Sequence, residues 1–141
     1  MVRKPKRDSV EESWYDLEVL ILLEFSSGQS TPAEIDPESS GKLRLDAVIS
    51  GIEPADGGAY YCNVKFECSR SPQIGVSKVE FEATYTYLYS CQESKKELAA
   101  KDIARSLAWS RFVDLFSLVN AQMHAEMPAL PLYAKVRFSA A

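Results

Sequence analysis

Residues 79–91 read VEFEATYTYLYSC, and every second position, Val79, Phe81, Ala83, Tyr85, Tyr87, Tyr89 and Cys91, is apolar or aromatic. Glu80, Glu82, Thr84, Thr86, Leu88 and Ser90 lie between them. Side chains alternate faces along a strand, so this spacing predicts one long strand with an oily side and a polar side. Three earlier stretches alternate in the same way. Tyr15, Leu17, Val19, Ile21, Leu23 and Phe25 are expected on one face, opposite Asp16, Glu18 and Glu24. Leu43, Leu45, Ala47 and Ile49 share another, as do Tyr60, Cys62, Val64, Phe66 and Cys68, backed by Asn63, Lys65 and Glu67. The links SSGQSTPAEIDPESSG, EPADGG and SRSPQIG are rich in turn residues and leave no room for a helical crossover. A four-stranded antiparallel meander is the expected sheet.

The period changes at Ser94. SKKE at 94–97 has the spacing of a capping box, and no Gly or Pro follows until Pro128. The spacing therefore predicts one helix of about 30 residues, about 45 Å long. Beyond it LPLYAKVRF alternates again, with Leu132, Ala134, Val136 and Phe138 opposite Tyr133, Lys135 and Arg137. At 100° per residue, Leu98, Trp109, Phe112, Val113, Phe116, Val119, Met123 and Met127 form one helix stripe. A second apolar set, Ala100, Ile103, Ala104, Leu107, Leu115, Leu118, Ala121 and Ala125, is expected on the opposite face, interrupted by Arg111 and Asp114.

Widths turn this pattern into an expectation about assembly. Four strands about 4.8 Å apart make a face about 20 Å wide, whereas a helix is about 10 Å across. A single helix leaves part of such a face bare, and an uncovered apolar area of that size marks a binding site or an oligomer interface. The class expected is α+β, one antiparallel sheet with one long helix, the helix lying between its own sheet and a second copy.

Composition narrows the function classes. The chain has 141 residues, the size of one domain, with its core expected in residues 14–141 and a disordered basic tail at 1–13. Arg3, Lys4, Lys6 and Arg7 supply four of the 16 basic residues, leaving 12 against 20 acidic residues over 8–141. A body this acidic argues against nucleic acid as the main partner. The longest apolar run, VLILL at 19–23, is far too short for a membrane helix, and no apolar segment follows the basic start as a signal peptide requires. Cys62, Cys68 and Cys91 cannot all pair with one another, and Cys62 and Cys68 lie about 20 Å apart on one extended strand. Free thiols in a reducing compartment are expected, and with them a cytoplasmic protein.

Catalytic chemistry finds little footing. His124 is the single histidine and has no Cys or His at zinc-ligand spacing, and neither Ser26-Ser27-Gly28 nor Gly57-Gly58 fits a phosphate-cradling loop. No catalytic residue, metal or cofactor is expected.

The order of a long strand, KLRLDAVISGIEPADGGAYYCNVKFECS as a hairpin, VEFEATYTYLYSC, and then LAWSRFVDLFSLVNAQMHAEMPALPLYAKVRF resembles the SecB and SecB-like protein-export chaperones. PALPL with Val136 and Phe138 is similar to the Pro-x-Leu-x-Leu segment that follows that family's long helix. The resemblance implies a homotetramer, a dimer of dimers, that holds non-native polypeptide in hydrophobic grooves without ATP. Some relatives instead protect the antitoxin of a toxin pair. The family's acidic sheet face recruits the export motor SecA, and Asp16, Glu18, Glu80 and Glu82 would occupy such a face here. The chain departs from the family in its basic start and in ending soon after Phe138, where the family has a final helix.

On this reading Phe81, Tyr85, Tyr87 and Tyr89 from the sheet and Trp109, Phe112 and Phe116 from the helix meet client polypeptide. Ile103, Leu107, Leu115 and Leu118 meet a second copy. The simplest use of the same aromatics is a core, since one-sided strands and stripes build cores. Two other classes stay open. One is a small-molecule domain whose pocket would draw on Asp102, Asn120 and His124, the other an adaptor whose helix serves assembly alone.

Overall fold

The computed structural model describes residues 14–30, 43–70, 78–123, 130–131 and 134–139. The basic N-terminal stretch, Leu132, and the far end of the expected helix with His124, Ala125 and Met127 lie outside these residues. In chain order the elements are β1 (Tyr15–Ser30), β2 (Leu43–Ile49), β3 (Glu53–Pro54), a 3-10 turn (Asp56–Gly58), β4 (Ala59–Arg70) and β5 (Lys78–Cys91). A second 3-10 turn (Glu93–Lys95), α1 (Lys96–Ile103), a π-turn (Ala104–Ala108), α2 (Trp109–Met123) and β6 (Arg137–Phe138) follow. The mixed α+β class is as expected.

The order of the strands is not that of a simple meander. Among the described residues the sheet runs β1-β5-β4-β2-β6, with the short β3 also on β4. Only β2, β4 and β5 follow one another as neighbours, and β1 lies beside the last of them. Matching lengths account for this. β1 has 16 residues and β5 has 14, so pairing them satisfies far more backbone groups than pairing β1 with the seven-residue β2. Gly57 and Gly58, with φ of 75° and 77°, make the turn that leads into β4, in the left-handed region where a side chain would be strained.

β1 also breaks the expected alternation. Its register against β5 shifts between Leu17 and Val19 and again between Leu22 and Glu24. Paired residues of an antiparallel ladder share a face. Leu17, Leu20, Leu22 and Phe25 oppose Tyr89, Tyr87, Tyr85 and Ala83 and so share the helix side, while Val19 and Ile21 oppose Leu88 and Thr86 on the outer side. The continuous run VLILL permits this, because it offers an apolar residue to either face wherever a bulge falls.

The helix departs from expectation at its start and in its middle. Ser94 lies within the 3-10 turn and α1 begins at Lys96, whose N-cap Lys95 makes no side-chain capping bond, so the SKKE box is not formed. Ala104–Ala108 form a π-turn, one residue wider than an α turn. Before it the buried residues are Ala99, Ala100, Ile103 and Ala104, and after it Ala108, Trp109, Phe112 and Phe116. One inserted residue rotates the following turn by about 100°. It brings the two sets, which a straight helix would place on opposite sides, onto the sheet together. Leu98, placed by straight spacing on the inner stripe, is left exposed. Ser106 Oγ donates to the Asp102 carbonyl at the widened turn, giving that acceptor a side-chain partner.

The core lies between helix and sheet. Phe66 on β4 stacks on Phe112 at 5.2 Å and meets Trp109 at 5.3 Å and Tyr85 at 6.0 Å, while Phe81 on β5 meets Phe116 edge-on at 4.8 Å. The hydroxyl of Tyr87 donates to the Ala100 carbonyl at 2.8 Å and that of Tyr89 to the Lys96 carbonyl at 2.7 Å, anchoring α1 to β5. Burial raises both phenols above their ordinary range. Desolvation likewise pushes the Cys62 thiol up to about 11 and that of Cys68 to about 12, from 9.0, and all three cysteines are free.

Two outcomes are expected. Deleting Leu107 should let the π-turn relax to α pitch with both buried stripes still in phase, so the protein folds with a loss of about 1–2 kcal/mol. Deleting Asp114, also exposed, puts Phe112 and Phe116 about 100° out of phase and should abolish a cooperative urea transition. Comparable transitions for the two deletions would contradict the phasing role. The second outcome concerns alkali. The folded chain keeps the Cys62 and Cys68 protons that the unfolded chain releases near pH 9, so their stabilisation is complete below that pH and falls as pH rises toward 12. Each thiol contributes up to about 1.4 kcal/mol per pH unit to that loss. Replacing both with Ala should flatten the fall in urea midpoint measured between about pH 8 and about pH 11.

Candidate functional site

The aromatics expected to meet client are in the protomer core. Phe81, Tyr85, Tyr87, Tyr89, Trp109, Phe112 and Phe116 are all buried, and their rings are occupied by one another and by Phe66. Alternation identified the oily side of each element, and the helix lies directly on it. Of the residues expected between copies, Ile103 is fully buried on its own sheet because the π-turn places it there. Leu107 and Leu118 stay outward on the helix back, Leu118 being 58% exposed, and Leu115 is half-buried.

What the helix fails to cover lies at the edges. Leu22 on β1 and Leu45 on β2 share the helix side of the sheet with buried Tyr85 and Cys68, yet they are 44% and 40% exposed. β4 and β5, between them, carry most of the fully covered strand residues, joined by Ala47 and Ile49 on β2. The helix is narrower than the sheet, so the oily face emerges from beneath it on both flanks. On the opposite face the bulges of β1 set Val19 and Ile21 near Tyr61, each of them exposed, with Leu88 opposite Val19 and Tyr61 alike.

Sequence reasoning missed the β2 flank as a site. A cleft of about 310 Å³ opens there, lined by Leu45, Ala47, Trp109, Pro131 and Ala134, with Asp46 and Lys135 among its lining. The Trp109 indole N–H donates to the Pro131 carbonyl at 3.0 Å, so the ring closes the inner wall while its nitrogen is satisfied. Beyond the cleft β2 pairs with β6 through Val48 and Ile49 alone, and Leu43–Ala47 have no strand on that side among the described residues. An apolar cleft beside open backbone is the pair of features an extended peptide needs: hydrogen bonds for its main chain and a pocket for alternate side chains. The signal available in the sequence was the shortness of β2 against β1 and β5, which leaves an edge for the chain's last strand.

Polar chemistry is sparse. Asp102 accepts from the Tyr15 hydroxyl at 2.7 Å and pairs with Arg105 at 3.3 Å. Desolvation, and then the hydrogen bond and charge of Asp102, raise the Tyr15 phenol. This joins β1 to the helix at the π-turn, and the half-buried Asn120 lies about three turns along α2, so Asp102 and Asn120 do not converge on one pocket. No group of His, Cys, Asp and Glu suited to a metal ion occurs among the described residues, and none of their helices is long and apolar enough to cross a membrane. On the outer sheet face Lys65 lies 3.4 Å from Glu82 and 3.7 Å from Glu67, and these contacts, Glu82 first, raise its ammonium above the ordinary range.

No protein-family profile matches the sequence, and no curated protein does. The fold is similar to a solved structure of a SecB-like chaperone from Mycobacterium tuberculosis in complex with a ChAD peptide from an antitoxin. The TM-score is 0.55 and the identity 10%, over 86% of this chain and 91% of that one.

Proposed function

We propose that the protein is a SecB-like, ATP-independent holdase that captures extended apolar segments of non-native polypeptide. The observation that carries this reading is the apolar cleft at Trp109 beside the outer edge of Leu43–Ala47 on β2, which has no strand partner among the described residues. Capture there requires no covalent step. Side chains of an unfolded segment leave water for the cleft, and the segment's backbone pairs along the strand edge. The likeness to a chaperone solved with a bound peptide supports the same reading.

Assembly is the second part of the proposal. Leu107, Leu115 and Leu118 form the outward ridge of the helix and meet a second copy, in a dimer of dimers. The aromatic core residues hold the shape of the groove from beneath, with Trp109 alone reaching its wall. The partners on this reading are the export motor SecA, as recipient of the captured polypeptide, or an antitoxin, as the client that is protected.

The purified protein is expected to suppress aggregation of a chemically denatured test protein diluted from guanidinium, with no nucleotide present. Leu107→Asp combined with Leu118→Asp should convert the assembly to a smaller species by light scattering with its circular dichroism unchanged, since both side chains are already exposed in the protomer. Leu45→Asp should leave the assembly intact and weaken suppression severalfold, the order expected for one lost apolar contact. A wild-type protein that assembles but protects nothing would leave an adaptor and overturn the holdase.

A further inference from the structure

The helix occupies one face of the sheet, and the opposite face changes character along its length. Near the end where Tyr15 pairs with Cys91 it carries Val19, Ile21 and Tyr61, which are 43%, 50% and 44% exposed. Toward the other end it turns acidic, with Glu24, Glu67, Glu80 and Glu82 sharing it with Lys65 and Arg44 among the described side chains. Glu67 stands directly opposite Glu82, a cross-strand placement in which like charges repel. Lys65, 3.4 Å from Glu82 and 3.7 Å from Glu67, offsets part of that repulsion. A hollow of about 370 Å³ opens beside them, with Ser26, Gly28, Ser69 and Glu80 in its lining.

A face that is oily near one end and acidic near the other fits a segment in which an apolar residue and a run of bases are separated by a matching distance. The chain carries one just before β1. Residues 3–10 read RKPKRDSV, with bases at Arg3, Lys4, Lys6 and Arg7 and an apolar residue at Val10. We infer that residues 3–10 fold back over the outer sheet face of their own chain, Val10 on the Val19, Ile21 and Tyr61 patch and the bases against Glu24, Glu80 and Glu82. The exit point suits this. Trp14 lies at a bend immediately before β1, its ring edge-on to Tyr15 at 5.1 Å and 5.6 Å from the Lys95 ammonium. From Tyr15 an extended chain rising about 3.3 Å per residue carries Val10 up to about 17 Å, Arg7 about 26 Å and Arg3 about 40 Å. From Cys91, the partner of Tyr15, the same rise along β5 reaches Thr86, opposite Ile21, at about 17 Å, Glu82 at about 30 Å and Glu80 at about 36 Å. The apolar and basic intervals of the stretch thus coincide with the apolar and acidic intervals of the face. Each exposed ion pair is weak alone, but a tether this short keeps the bases at about millimolar effective concentration. The inference does not depend on the holdase reading.

The test is zero-length carbodiimide coupling on the full chain, which joins a lysine amine to a carboxylate in contact with it, with the products mapped by mass spectrometry. The Lys65 to Glu82 link, between groups already 3.4 Å apart, is the internal control. Lys4 and Lys6 should link to Glu24, Glu80 and Glu82, and an equal mixture of isotopically light and heavy protein should show that both ends belong to one chain. Raising the salt from about 20 mM to about 0.5 M shortens the screening length to about 4 Å, so these links should fall about threefold while the control holds. Glu80→Gln combined with Glu82→Gln should lower the links to Glu24, whose own carboxylate is untouched, by about threefold, the loss expected for one or two exposed pairs. Val10→Asp should lower the same links about twofold, and thermal melting of each variant checks that the fold is kept. The inference is overturned if the control forms and the tail lysines link to nothing, link to acids of the helix, or link only between chains. Links to Glu24 that ignore both salt and the paired glutamine substitutions would overturn it equally.

Discussion

A helix about 10 Å wide resting on a sheet whose strands are about 4.8 Å apart is the constraint on which the remaining features depend. The centre of the sheet is covered completely, and there Phe66, Tyr85, Phe81, Trp109, Phe112 and Phe116 interlock. The flanks are covered incompletely, and there Leu22 and Leu45 emerge into solvent from the same face. A protein that confined its apolar surface to the middle two strands would be finished as a monomer. This one carries the oily face past the helix on both sides, so that Leu22 and Leu45 are left to solvent at its two flanks.

Much of this was legible in the alternation of residues. The oily sides of β4 and β5 were read correctly because Cys62, Val64, Phe66 and Cys68, like Phe81 through Tyr89, keep strict period-two spacing and meet no bulge. β1 misled because VLILL has no polar residue to mark a face, so two register shifts could redirect Val19 and Ile21 outward without leaving a trace in the pattern. The strand order was hidden for another reason. Short links argue for sequential neighbours, but the gain from pairing two long strands is a tertiary term that no local window contains.

The helix shows the same division. Its existence followed from the lack of Gly and Pro between Ser94 and Pro128, but its two greasy faces were an artefact of assuming one pitch throughout. With the π-turn between them, Ile103 and Phe112 serve a single surface, and the genuine outward residues reduce to a ridge around Leu107 and Leu118. The candidate site moved accordingly. Hydrophobic spacing names which side chains seek cover but not which ones find it, so the aromatics read as groove became its foundation, and the groove itself formed where the short β2 leaves cover incomplete.

The two register shifts in β1 carry a consequence for solubility. β1 is a sixteen-residue outer strand with apolar side chains on both faces, the kind of template along which identical chains stack into fibrils. The extra residues near Glu18 and Leu23 kink it and interrupt its hydrogen-bonding rhythm, so that no long flat run is offered to a copy of itself. A molecule with this much exposed apolar surface is, by this irregularity, kept from nucleating aggregates of its own.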